Sequence, residues 1–169
     1  MVSFFRALIS SGPVYVRIRR DWLSVKDVKT GKRYEDIPAV AIKENSGVKT
    51  VSAIGKNADT ELRKSPEDTI VVNGFHHPRL IVHDYVVAEK TLIHFFGEIF
   101  SAKFIRPAPI VIMHVTEELE GGITPIEVRV LRELAAGAGA REVYVWSGRE
   151  LSDGEILNGN YKGKGWLSD

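Results

Sequence analysis

An α/β fold built on a mixed sheet, with an antiparallel three-stranded meander at its start and helices flanking it, is predicted by three observations. Short runs rich in β-branched and aromatic residues cluster in the first quarter of the chain and are joined by tight turns. From residue 84 onward the apolar spacing changes to threes and fours, which is the helical period. Between the helical stretches lies "PAPIVIMHV", a continuous apolar run of the kind found in strands covered on both faces.

The elements follow in order. Residues 2–10 read as a short amphipathic helix with Phe4, Phe5, Leu8 and Ile9 on one side, ended by Gly12-Pro13. "VYVRIR" and "WLSVKDV" are two strands joined closely at Arg20-Asp21, "KTGK" is a second turn, and "RYEDIPAVAI" is the third strand. The polar stretch "KENSGVK" leads to a strand around "TVSAIG" and a short helix over 57–64, before "KSPED" breaks the chain ahead of the strand "TIVV". Asp84 is placed to cap a helix whose buried positions are Val87, Leu92, Phe95, Phe96, Ile99 and Phe100. After the strand "PAPIVIMHV", Thr124, Pro125 and Glu127 form a capping box with proline at the first helical position. The expected buried stripe of that helix is Ile126, Val130, Leu131, Leu134 and Ala138. Gly137 and Gly139 stop the helix, and "REVYVW" is the next strand. "SDGE" is a capping box for one last short helix, followed by a polar, glycine-rich tail. The expected organisation is therefore an amino-terminal helix over 1–11, a domain over 13–157 with a small inserted subdomain over roughly 43–80, and a flexible tail over 158–169.

The chain has 169 residues, enough for one well-filled core. With no cysteine, disulfides, thiolate metal sites and cysteine nucleophiles are excluded. The formal net charge is +1, yet residues 1–34 carry eight Lys or Arg against Asp21 and Asp27. No apolar run approaches the ~20 residues of a spanning helix, and "MVSFFRALISSG" lacks the build of a signal peptide. The expected location is the cytoplasm, extending to the inner face of the cell membrane. His76, His77 and His83 match no standard zinc spacing, and no metal is expected there. His94 and His114 fall inside a helix and a strand, where structural roles are expected. Trp166 either anchors a partner or folds back on the domain.

Together, "GAGAREVYV", "ITPIEVRVLRELA", "IPAVAI" and "AIGKNADTELRKSPEDTIVV" resemble the MreB/Mbl family of bacterial actin homologues, the rod shape-determining proteins. The likeness runs from about residue 2 to 146. It implies an actin-like, ribonuclease H-like fold and covers the first of that family's two large domains. A second domain would take roughly 150 further residues and is expected to be missing. The family carries an aspartate in its first strand, followed by a glycine-threonine turn that cradles phosphate. In "VYVRIRRDWLSV" the resemblance sets Arg17 at the aspartate and Arg19 and Arg20 at the glycine and threonine, with Asp21 next. An arginine can neither hold magnesium nor polarise the attacking water. "Ser147-Gly148-Arg149" replaces the family's acidic pair after the strand.

The expectation is a protein without ATPase activity, cofactor or catalytic residues, binding or scaffolding in cell shape determination or filament assembly. Its expected partners are a second copy of itself or an MreB-type filament subunit, with no nucleic acid. Peripheral membrane contact would come through Phe4, Phe5, Leu8 and Ile9, unless that helix docks on its own domain. Arg17, Arg19 and Arg20 either form a solvated strand edge or bind an anion weakly. The alternative is an ATP-binding cytoskeletal subunit that completes its nucleotide cleft with another chain.

Overall fold

A computed structural model describes residues 11–100 and 107–162. The expected amino-terminal helix, with Phe4, Phe5, Leu8 and Ile9, lies outside the described residues, as does Trp166.

The meander forms as its sequence predicts. β1 (Val14–Arg19) pairs antiparallel with β2 (Trp22–Asp27), and β2 pairs antiparallel with β3 (Arg33–Asp36). Gly31, at φ 73°, closes the second turn in a conformation that glycine adopts without a Cβ penalty. The run "RYEDIPAVAI" is not one strand, however. Pro38 offers no amide hydrogen to a ladder, and the chain leaves the first sheet after Asp36. It re-enters a second sheet as β4 (Val40–Asn45). The stretch "KENSGVK" is likewise a hairpin and not a linker. Ser46 and Gly47 both take positive φ, 51° and 80°, as a tight hairpin turn requires, and β5 (Val48–Ile54) returns along β4.

α1 (Asn57–Lys64) and β6 (Thr69–Val72) complete this smaller unit, a three-stranded sheet ordered β5-β4-β6. Ala41, Ala53, Val71 and Ala58 pack between that sheet and α1. The two sheets are joined through Asp36. Its carboxylate accepts hydrogen bonds from the Ile37 amide at 2.8 Å and the Lys56 amide at 3.1 Å. Gly55 passes so close that a Cβ there would lie 2.3 Å from the same carboxylate.

α2 (Tyr85–Ile99) starts where Asp84 accepts from the Val87 amide at 3.0 Å. β7 (Ile110–Val115) joins β1 in parallel and β8 (Glu142–Trp146) joins β7 in parallel, giving a five-stranded mixed sheet ordered β3-β2-β1-β7-β8. Between β7 and β8 runs α3 (Pro125–Gly137), opened by the expected capping box and followed by Gly139 at φ 103°.

α2 and α3 cover one face of this sheet. There Val14, Val16, Ile18, Leu23, Val25, Val111, Met113 and Val145 meet Leu92, Phe95, Leu131 and Leu134, all buried. Each such side chain contributes about 1.5–3 kcal/mol relative to exposure. The buried stripe of α3 differs by a step from the expected one: it runs through Val128, Leu131, Leu134 and Ala135, while Ile126 is 75% exposed. Glu127 points inward instead, because its carboxylate accepts from Thr124 and lies against the Ile81 amide and Arg79.

The opposite face is built differently. At one end it is covered by the chain itself: Leu151, Ile156 and Tyr161 pack on Tyr15, Val28 and Ile112. α4 (Asp153–Leu157) carries Ile156 into place. Packing therefore extends into the expected tail, since Tyr161 is 4% exposed and meets Tyr144 edge-on at 4.8 Å. At its other end the same face becomes polar.

Candidate functional site

β1 and β7 run parallel, so their carboxyl ends emerge side by side, which is where open α/β sheets place their ligand clefts. Alternation along β1 sends Val16 and Ile18 into the core and turns Tyr15, Arg17 and Arg19 to the other face. The β1–β2 turn, the residues after β7 and the loop after β8 enclose a groove of about 590 Å³. Arg17, Arg19, Asp21, Trp22, His114, Thr116, Gly148 and Glu150 line it.

Arg17 lies deepest of the sequence-predicted arginines, its side chain only 18% exposed. It forms an ion pair with Glu150, and its guanidinium carbon stands 4.9 Å from the centre of the Trp22 ring. Burial pushes the Arg17 guanidinium below its ordinary value, and Arg33 and Arg19 add to that, while Tyr15 and Glu35 oppose it. Arg19 donates through Nε to Thr116 Oγ1 at 3.1 Å and reaches the other side of the groove near Trp22, at 5.9 Å. Arg20 points away from Arg17. Its amide and its Nε each approach the Glu117 carboxylate at 3.0 Å, and its carbonyl accepts from Asn73 Nδ2 at 2.6 Å. The structure thus brings Arg17, Arg19 and Asp21 to one groove and leaves Arg20 bracing the turn.

Beneath the groove lies a polar relay. His114 is 1% exposed, with Nε2 2.9 Å from the Gly148 carbonyl and Nδ1 2.6 Å from the Tyr15 hydroxyl. A carbonyl only accepts, so Nε2 carries the proton. Burial lowers the His114 pKa, the Gly148 carbonyl opposes that, and Arg17 adds to it. The ring is therefore neutral near pH 7, Nδ1 accepts from the Tyr15 hydroxyl, and that hydroxyl accepts from the Leu151 amide at 3.2 Å. His114 has the structural role its position in a strand suggested. Its contacts fix the backbone on both sides of Glu150.

The other histidines are engaged locally. His77 Nδ1 accepts from the Arg79 and Leu80 amides at 3.1 and 3.0 Å, and His83 Nδ1 lies 3.1 Å from the Gly74 carbonyl. After β8, Arg149 pairs with Glu155 and so belongs to the capping of α4.

Thr116, Glu117, Glu150 and Asn73 were not among the expected site residues. The first two follow β7 directly, so its parallel pairing with β1 is the signal that could have found them. Nothing local in "GRE" marks Glu150, whose position depends on the relay below it.

The sequence pattern of the MreB/Mbl proteins matches residues 28–151. The chain belongs to the MreB/Mbl family. The cell shape-determining protein MreB of Haemophilus influenzae is 34% identical over 108 residues, covering 63% of this chain and 29% of that protein. MreB of Escherichia coli K12 is 35% identical over 108 residues, with the same shares covered. The chain thus spans about 29% of the length of the MreB relatives it matches. Among solved structures, Spiroplasma citri MreB5 bound to AMPPNP superimposes with a TM-score of 0.63 at 19% identity, over 80% of this chain and 38% of that one. A non-polymerising MamK mutant bound to AMPPNP gives 0.59 at 15% identity, over 80% of this chain and 40% of MamK. These likenesses establish the actin-like fold that the sequence resemblance implied. β1, which carries Arg17 and Arg19, precedes the matched residues, whereas His114, Thr116, Gly148 and Glu150 fall within them.

Proposed function

We propose that this chain is a non-catalytic member of its family of cell shape-determining actin homologues, acting as a binding or scaffold module. One observation carries the proposal. At the turn where the family resemblance calls for an aspartate and a glycine-threonine phosphate cradle, Arg17, Arg19 and Arg20 are tied to Glu150, Thr116 and Glu117 of the same chain. Hydrolysis of ATP through magnesium needs free carboxylates to hold the metal and orient water. The carboxylates closest to the groove are Glu150, which is ion-paired with Arg17, and Asp21, which sits beside two arginines.

The module works by association, with a second copy or with an MreB-type filament subunit as partner. Its position in the cell is cytoplasmic, reaching the inner membrane surface through Phe4, Phe5, Leu8 and Ile9. The deciding test is thermal melting of the purified protein during titration with ATP and magnesium, because a ligand that binds the folded state raises the melting temperature in proportion to its occupancy. No magnesium-dependent shift is expected. A saturable, magnesium-dependent rise would overturn the proposal and favour a nucleotide-binding subunit.

A further inference from the structure

We propose that the groove between the β1–β2 turn and the loop after β8 is a metal-independent receptor for a phosphate or carboxylate group, with Glu150 as a built-in counter-anion that the ligand displaces. This rests on the reading above, that the groove holds no magnesium nucleotide, and names the ligand class the same residues suit.

The asymmetry of the Arg17–Glu150 pair is the central observation. The cation is half-buried, at 18% exposure of its side chain, whereas the Glu150 side chain is 55% exposed. A half-buried guanidinium has lost part of its hydration and favours an anionic partner. An exposed carboxylate, by contrast, is held weakly and returns to water with little loss. The cation is thus a fixture of the fold and the anion is exchangeable.

The surroundings favour exchange. Trp22 holds the Arg17 guanidinium against its ring, so the donor fork is set before any ligand arrives. Arg19 supplies a second guanidinium across the same ring, and Thr116 a hydroxyl beside it. Gly148 and Leu151 are pinned by His114 and Tyr15. Releasing Arg17 therefore needs rotation of the Glu150 side chain, while the loop backbone stays in place. With Glu150 turned out, the charged groups left facing the groove are Arg17, Arg19 and Asp21, a net positive set. The volume of about 590 Å³ suits a small organic anion.

The test is thermal melting of the full chain in EDTA with tripolyphosphate or with citrate, at matched ionic strength, beside an arm containing magnesium and ATP. A saturable rise with either metal-free anion is expected, and comparison of the two arms identifies phosphate or carboxylate as the preferred group. Glu150→Gln removes the internal competitor and should tighten binding about two- to fivefold, the range expected for loss of an exposed ion pair. Arg17→Met should weaken it by about tenfold or more, as for a charge-assisted hydrogen bond; Arg19→Met, on the rim, does so with little effect on folding. A flat response to both metal-free anions, with none to ATP, overturns this inference alone. So does a rise of equal size in wild type, Arg17→Met and Arg19→Met. A rise confined to the magnesium–ATP arm overturns the non-catalytic reading and this inference with it.

Discussion

Tyr15 shows how much one hydroxyl can organise. It donates to His114, accepts from Leu151 and so joins a strand in the first sixth of the chain to a loop near its end. Burial raises its pKa, partly offset by the Leu151 amide and then by Arg17, so the hydroxyl keeps its proton and its donor role. Tyr15→Phe leaves His114 Nδ1 and the Leu151 amide unpaired while preserving the ring. The expected cost is about 1–3 kcal/mol, read as a lower urea midpoint with an unchanged slope. Neither Tyr15 nor His114 could be assigned this task from the sequence, because their partners lie 99 and 136 positions from Tyr15. By contrast, the family resemblance singled out Arg17, Arg19 and Arg20 because its motif is local, and the structure keeps Arg17 and Arg19 in one groove.

Among elements, α4 depends on charge more than on length. Its capping box pairs Ser152 with Glu155, and Arg149 and Ser152 together hold the Glu155 carboxyl down at about 2. A depressed carboxyl contributes stability above its unfolded value and loses it as pH falls toward the folded one. Acidification from roughly pH 4.5 toward about 2 should therefore loosen α4. Trp146, whose indole donates to the Arg149 carbonyl at 2.8 Å, reports the change by fluorescence once Trp22 and Trp166 are replaced by Phe. In Glu155→Gln this acid-dependent step should shrink.

The caps at Asp84, Thr124 and Ser152 were legible because each is chemistry among residues a few positions apart. The division of "RYEDIPAVAI" between two sheets was not. Strand residues look alike whichever sheet they join, and their partners are distant. The stripe of α3 was misplaced for a related reason: Glu127 faces inward to meet Ile81 and Arg79, contacts that no helical period contains.

For the whole molecule, charge and surface decide where it works. No helix among the described residues is long and apolar enough to cross a membrane. The lipid contact proposed above comes from the run Phe4, Phe5, Leu8 and Ile9, assisted by the basic first third. Liposome flotation of the full chain against Phe4→Asp/Leu8→Asp should show retention only of the unaltered protein on anionic vesicles. Equal flotation would remove the membrane role. The sequence anticipated the fold at this scale, because "GAGAREVYV" and its companions carry a family likeness that the superposition on MreB5 and MamK reproduces.

The Asp36 junction has a bearing on how load would pass between the two sheets. One carboxylate grips amides on both its own side and the far side of the crossing between the sheets, and Gly55 leaves no slack beside it. A pull applied to the small β4–β6 unit would reach β3 directly, as through a welded bracket, with little lost in bending at the joint.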